Sequence, residues 1–220
     1  MSVDPSWKGV YKVGGFSFVA AGVLLFIFVL SVLILQQSLP PSPQAVLENP
    51  IPPVTIFLVA GLGEFFLMFG FLGLYLSLKN VKKTHMLIAT GLGLAAIPMF
   101  LVSRGQIISL LPISGRYMAT TSETLRAAYL ASAVLAIELQ NTYATMAMIL
   151  LNVAAIIIGL TMLKGVFGKG IGYLVIVAGI LTLFAPFAVS LKVPIIIPFI
   201  GLVLTGVWNI VVGAKLYKLG

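Results

Sequence analysis

Six apolar runs, each long enough to cross a lipid bilayer and almost free of charge, constrain this chain more than any other feature. A helix rises about 1.5 Å per residue, so about 20 apolar residues span a hydrocarbon core of about 30 Å. The runs lie at about Val13–Gln36, Val54–Leu78, Met86–Leu111, Asn141–Leu163, Ile171–Leu191 and Ile195–Leu216. Only 8% of residues are charged and 60% are hydrophobic. So few charges cannot coat a water-facing surface, and the solvent is lipid. The expected fold is all-α: one membrane-embedded bundle of six transmembrane helices over residues 1–220. The first run follows Lys8 and Lys12 as a signal peptide would. It is too long for a signal h-region and no small-x-small cleavage site follows, so it reads as an anchor.

Lys and Arg give the orientation. Lys8, Lys12, Lys79, Lys82, Lys83, Lys164, Lys169, Lys215 and Lys218 fall on one side, and Arg104, Arg116, Arg126 and Lys192 on the other. The positive-inside rule puts the first set, and with it both termini, in the cytoplasm of a cell membrane. The net charge of +8 arises from these flanking residues and not from a patch, which argues against nucleic acid as a partner. The inner connections, Asn80–His85 and Lys164–Gly170, read as tight basic hairpins. The first outer loop holds Pro40, Pro41, Pro43, Pro50, Pro52 and Pro53 and is expected to be extended, partly polyproline.

The second outer segment, Pro112–Gln140, carries an extra element. Thr120 stands three residues ahead of Glu123, a capping-box start, and no Gly or Pro occurs from Thr121 to Ile158. Leu125, Tyr129, Ser132, Ala136 and Leu139 recur at helical spacing. An amphipathic outer helix over about 121–139 is expected, lying in the interface or leading straight into the fourth span. The polar run Glu138–Thr142 is the expected bend or headgroup boundary.

At this point the residues resemble a family. Met86–Leu94, Leu110–Ser114, Tyr117–Glu123 and Arg126–Ala131 look like an uncharacterised archaeal and bacterial family of six-helix membrane proteins, domain of unknown function 4386. Met162-Leu163-Lys164 with Phe167, and Trp208–Tyr217, continue the likeness. The resemblance implies the six-helix topology, the Tyr/Thr-rich outer segment and an archaeal-type relative; it implies no activity. Members often carry Ser-Asn-x-Ala in the third span, where this chain has Ser103-Arg104-Gly105-Gln106.

Candidate chemistry is sparse. There is no Cys and a single His, His85, so thiol chemistry, iron–sulfur clusters and histidine-rich metal sites are not expected, and neither is a cofactor. Asp4 is the only Asp, and no nucleotide loop or nucleophile elbow occurs. The chain therefore reads as non-catalytic. Glu64 falls near mid-span, where a carboxylate costs a few kcal/mol unless neutralised or paired. It is either a protonatable or cation-binding group or a structural glue. Arg104, in the outer third of the third span, reaches down to Glu64 or, as the default, snorkels to the headgroups. Asn152 and Asn209, near mid-span, suit inter-helix hydrogen bonds. Gln106, Glu138, Gln140 and Asn141 share the depth of Arg104 and form either an outer vestibule or a headgroup belt.

Three function classes follow. The first is a contact protein whose partners are the bilayer and a homo-oligomer or another membrane protein. Small residues at Ala89, Gly93, Ala96, Gly201, Thr205 and Gly213 permit the close packing it needs. The second is a transporter or channel for protons or a small solute using Glu64. An intramembrane enzyme ranks last.

Overall fold

The computed structural model describes residues 5–35, 42–187, 192–194 and 196–220. Pro40 and Pro41 of the first loop, and the expected span limits Gln36, Leu191 and Ile195, lie outside the described residues. Among the described residues there are α-helices and short 3-10 turns and no strand. Six helices are long and apolar enough to span a membrane.

The helices are α1 (Lys8–Leu35), α2 (Pro43–Glu48), α3 (Ile51–Leu78), α4 (Lys83–Ile108), α5 (Leu110–Ala119), α6 (Glu123–Met162), α7 (Lys169–Leu183) and α8 (Ile196–Lys218). The six long ones pack in chain order, α1 on α3, α3 on α4, α4 on α6, α6 on α7, α7 on α8, and α8 back on α1. The bundle is thus a closed ring of six spans. Gly220 lies against Lys8, so the two ends of the chain meet at one face of the ring, here called the basic face. Both short hairpins, from α3 to α4 and from α6 to α7, belong to it. His85 sits there, exposed, in the first turn of α4.

The seams between spans close through glycine. A Cβ on Gly15 of α1 would collide with the Gly213 carbonyl and Tyr217 backbone of α8. Gly159 of α6 and Gly172 of α7 face each other in the same way. With no hydrophobic drive between helices in lipid, such approach supplies the van der Waals contact that holds them. Ala89, Gly93, Ala96, Gly201 and Gly213 are all consumed inside the chain: Ala89 and Ala96 are fully buried, Gly93 meets Phe71, Gly201 meets Thr182 and Gly213 meets Gly15.

Three expectations are corrected. The first outer loop is not extended throughout, because α2 occupies Pro43–Glu48, capped by Ser42, and α3 already begins at Ile51. Proline is tolerated in a first helical turn, whose N–H groups have no partner to lose. Pro43, Pro52 and Pro53 therefore start helices.

The second outer segment begins with a helix that the sequence reading left out. α5 carries Pro112 in its first turn and buries Leu110, Ser114 and Tyr117 along one side. The expected outer helix and fourth span are one element, α6, of 40 residues or about 60 Å. It starts at Ser122, whose hydroxyl accepts from the Leu125 N–H, so the cap lies two residues beyond Thr120. It runs through Glu138–Thr142 without a break, as a stretch free of Gly and Pro allows.

The buried face of its outer half also differs. Ala133, Ala136 and Gln140 are buried and Tyr129, Leu130 and Ile137 half-buried, whereas Leu125, Ser132 and Leu139 are exposed. The face is rotated because α5 and α2 pack there. Leu47, Val54, Ile107, Leu110, Tyr117, Ala133 and Ala136 form their common core. The Ser114 hydroxyl donates to the Leu47 carbonyl, tying α5 to α2.

Candidate functional site

The ring is not evenly filled. Toward the basic face its interior is dense: Tyr11, Phe18, Phe71, Leu74, Leu78, Met86, Met162 and Leu216 are buried. Phe18 packs between Phe71 and Trp208, with ring centroids 6.0 and 5.4 Å away. Above this aromatic floor a cavity of about 120 Å³ opens in the centre of the ring. All six spans line it: Ala21 and Phe28 of α1, Ala60 and Leu67 of α3, Phe100 of α4, Met148 and Leu151 of α6, Thr182 of α7, and Leu202 of α8.

Glu64, Arg104, Asn152 and Asn209 all line this one cavity. Glu64 sits halfway along α3, about 20 Å from either end, and Asn152 about 15 Å from the inner end of α6. Glu64 and Asn152 therefore lie near mid-span, and Arg104, about 6 Å from the outer end of α4, reaches down to Glu64.

Arg104 takes the inward of its two sequence options. Its Nε donates to Glu64 Oε2 at 3.2 Å, and its terminal nitrogen donates to Glu64 Oε1. The guanidinium carbon also lies 5.1 Å from the ring centre of Phe57 and 5.5 Å from that of Phe100. Two side chains that are 10% and 12% exposed thus form a bidentate pair between aromatic faces. Bidentate geometry and cation–π contact suit a guanidinium that must stay charged away from water. Gly61, one turn before Glu64 on α3, lets the Arg104 stem pass close to the helix. The pair is internally neutral, so the cavity carries no net charge.

The asparagines differ. They are 5% and 2% exposed, and Asn152 Nδ2 and Asn209 Oδ1 have no hydrogen-bond partner among the described residues. They are not glued to one another. Between them and the aromatic floor lies a second void of about 30 Å³, lined by Phe71, Trp208 and both asparagines.

The other four candidates do not converge. Glu138 and Asn141 are exposed on α6 and Gln106 is half-buried on α4. Gln140 is buried, and its main-chain carbonyl accepts from the Ser103 hydroxyl at 3.0 Å, pinning α4 to α6. Sequence reasoning missed Thr182 and read Thr205 only as a packing residue, yet both line the cavity; a lone Thr in an apolar run is ordinary.

A closed ring of six apolar helices around a mainly apolar central cavity with a few polar groups defines the class: a multi-pass membrane protein. Residues 14–214 match the family described as a domain of unknown function (DUF4386), and the chain belongs to that family. No curated protein and no solved structure matches it.

Proposed function

We propose that this protein is a non-catalytic membrane protein that binds a small lipophilic molecule in the central cavity, as a carrier or receptor in the cell membrane with both termini cytoplasmic. The observation that carries the reading is the meeting of all six spans and four intramembrane polar side chains at one void. Ligand pockets are concave, mainly apolar and furnished with a few convergent polar groups. The excess of Lys on the basic face supports the orientation.

Two other readings lose ground. A contact protein built on small-residue seams has those seams already used within the chain. A proton path through Glu64 would need a carboxylate free to take up and release protons, and Arg104 engages both of its oxygens. The dense aromatic floor also favours a dead-end pocket over an open channel.

The test is photolabelling of the full chain in nanodiscs with a short-chain diazirine-bearing alcohol. Adducts should concentrate on Met148, Leu151 and Phe100 and fall in Ala60→Phe, which fills the cavity. Adducts on the exposed Leu62 serve as the lipid-facing control. Labelling that follows exposure to lipid, and is unchanged in Ala60→Phe, overturns the reading.

A further inference from the structure

Resting on that reading, we infer that the molecule bound in the cavity has a neutral head that both donates and accepts a hydrogen bond, of the hydroxyl or primary-amide kind, seated between Asn152 and Asn209.

The fold leaves polar groups beside the cavity without partners among the described residues. A buried polar atom without a partner is costly, and native proteins rarely keep one without a reason. Here a donor, Asn152 Nδ2, and an acceptor, Asn209 Oδ1, are both left over, and both residues line the same void. The two asparagines stand on different helices, α6 and α8, with complementary needs. One group that accepts from Asn152 and donates to Asn209 satisfies both. Trp208 Nε1, also unpartnered, adds a donor on the floor below.

The neighbouring hydroxyls sharpen the choice. Thr182 Oγ1 donates to the Ala178 carbonyl at 2.7 Å, and Thr205 Oγ1 to the Gly201 carbonyl at 2.9 Å. Their protons are spent on their own helices, so toward the cavity they offer acceptor lone pairs only. They suit a head that carries a proton to donate.

Charge argues for neutrality. Among the described residues, Glu64 and Arg104 are the only ionisable ones in the wall, and each is the other's partner. A cationic or anionic head would enter a low-dielectric space with no free counter-charge, or would have to break the pair. Size limits the body: an apolar protein cavity of about 150 Å³ holds benzene, and the void that these residues line is about 120 Å³. The ligand is a compact apolar body with one small head.

The experiment uses diazirine probes with identical short alkyl bodies ending in hydroxyl, methyl, ammonium or carboxylate, on the full chain in nanodiscs. The hydroxyl probe should label Met148, Leu151 and Phe100 about five- to ten-fold more than the methyl probe, the yield of one or two net hydrogen bonds. The charged probes should label at background. In the Asn152→Leu/Asn209→Leu double variant, hydroxyl labelling should fall to the methyl level while methyl labelling persists. Should that variant not fold, the wild-type melting temperature gives the same answer: the unlabelled alcohol should raise it more than the matched alkane at equal concentration.

Equal labelling by all heads, preference for a charged head, or a hydroxyl preference that survives the double variant would overturn the inference while leaving the pocket intact. An absence of cavity labelling by every probe would instead remove the binding reading on which it rests.

Discussion

The two halves of the ring have contrasting interiors. Toward the basic face, α1 meets α8 through Gly15 and Gly213 and α3 through Gly14 and Gly73, and Phe18, Phe71 and Trp208 fill what is left. Beyond that floor the ring encloses a void, and an ion pair and two asparagines occupy its wall. One half is packed as a stable membrane core should be, by close contact. The other gives up contact, and with it stability, to keep a space. Under the binding role proposed above, this void is the place of the ligand.

The largest expected effect tests the hollow half. Glu64→Gln or Arg104→Met alone should cost about 3–5 kcal/mol, since each leaves a buried charge or its donors without a partner. The double variant should recover most of the loss. Unfolding equilibria in mixed micelles measure both, and additive costs in the double variant would show that the pair is not coupled.

Next comes the dense half. Phe71→Ala should cost about 3–5 kcal/mol by opening a new cavity. Phe28→Ala, on a wall that already faces empty space, should cost about 1 kcal/mol. Equal penalties would erase the distinction between the halves.

Overpacking should sharpen it further. Ala89→Leu in the dense half should cost about 1–3 kcal/mol. Ala60→Leu, which points into the void, should be neutral or stabilise by about 0.5–2 kcal/mol. The melting temperatures of the two variants decide the point.

The smallest effect lies at the cap. Ser122→Ala should cost about 0.5–1 kcal/mol, because the bond from Leu125 is long at 3.5 Å. Hydrogen exchange should speed up in the first turn of α6 and leave the cavity amides unchanged.

Much of this was legible in the residues. The six spans follow from apolar length alone, and the start of the extra outer helix lies within two residues of the Thr that announced it. Glu64, Arg104, Asn152 and Asn209 stood out because polar groups in hydrocarbon are expensive. Other features were not legible. α2 and α5 were hidden by prolines that read as breakers, yet sit in first turns. The buried face of the outer half of α6 was set by α5 and α2, so its own periodicity misled.

The sequence by itself determined that this chain lives in a membrane, how many times it crosses, and which side chains must find partners there. These are consequences of transfer free energy, which acts residue by residue. Only the tertiary structure decided who those partners are. It closed six helices into a ring, set Arg104 against Glu64 across forty residues of chain, and left Asn152 and Asn209 facing a void. Ring closure depends on which glycine seams meet, a relation between distant residues that no single stretch of sequence contains.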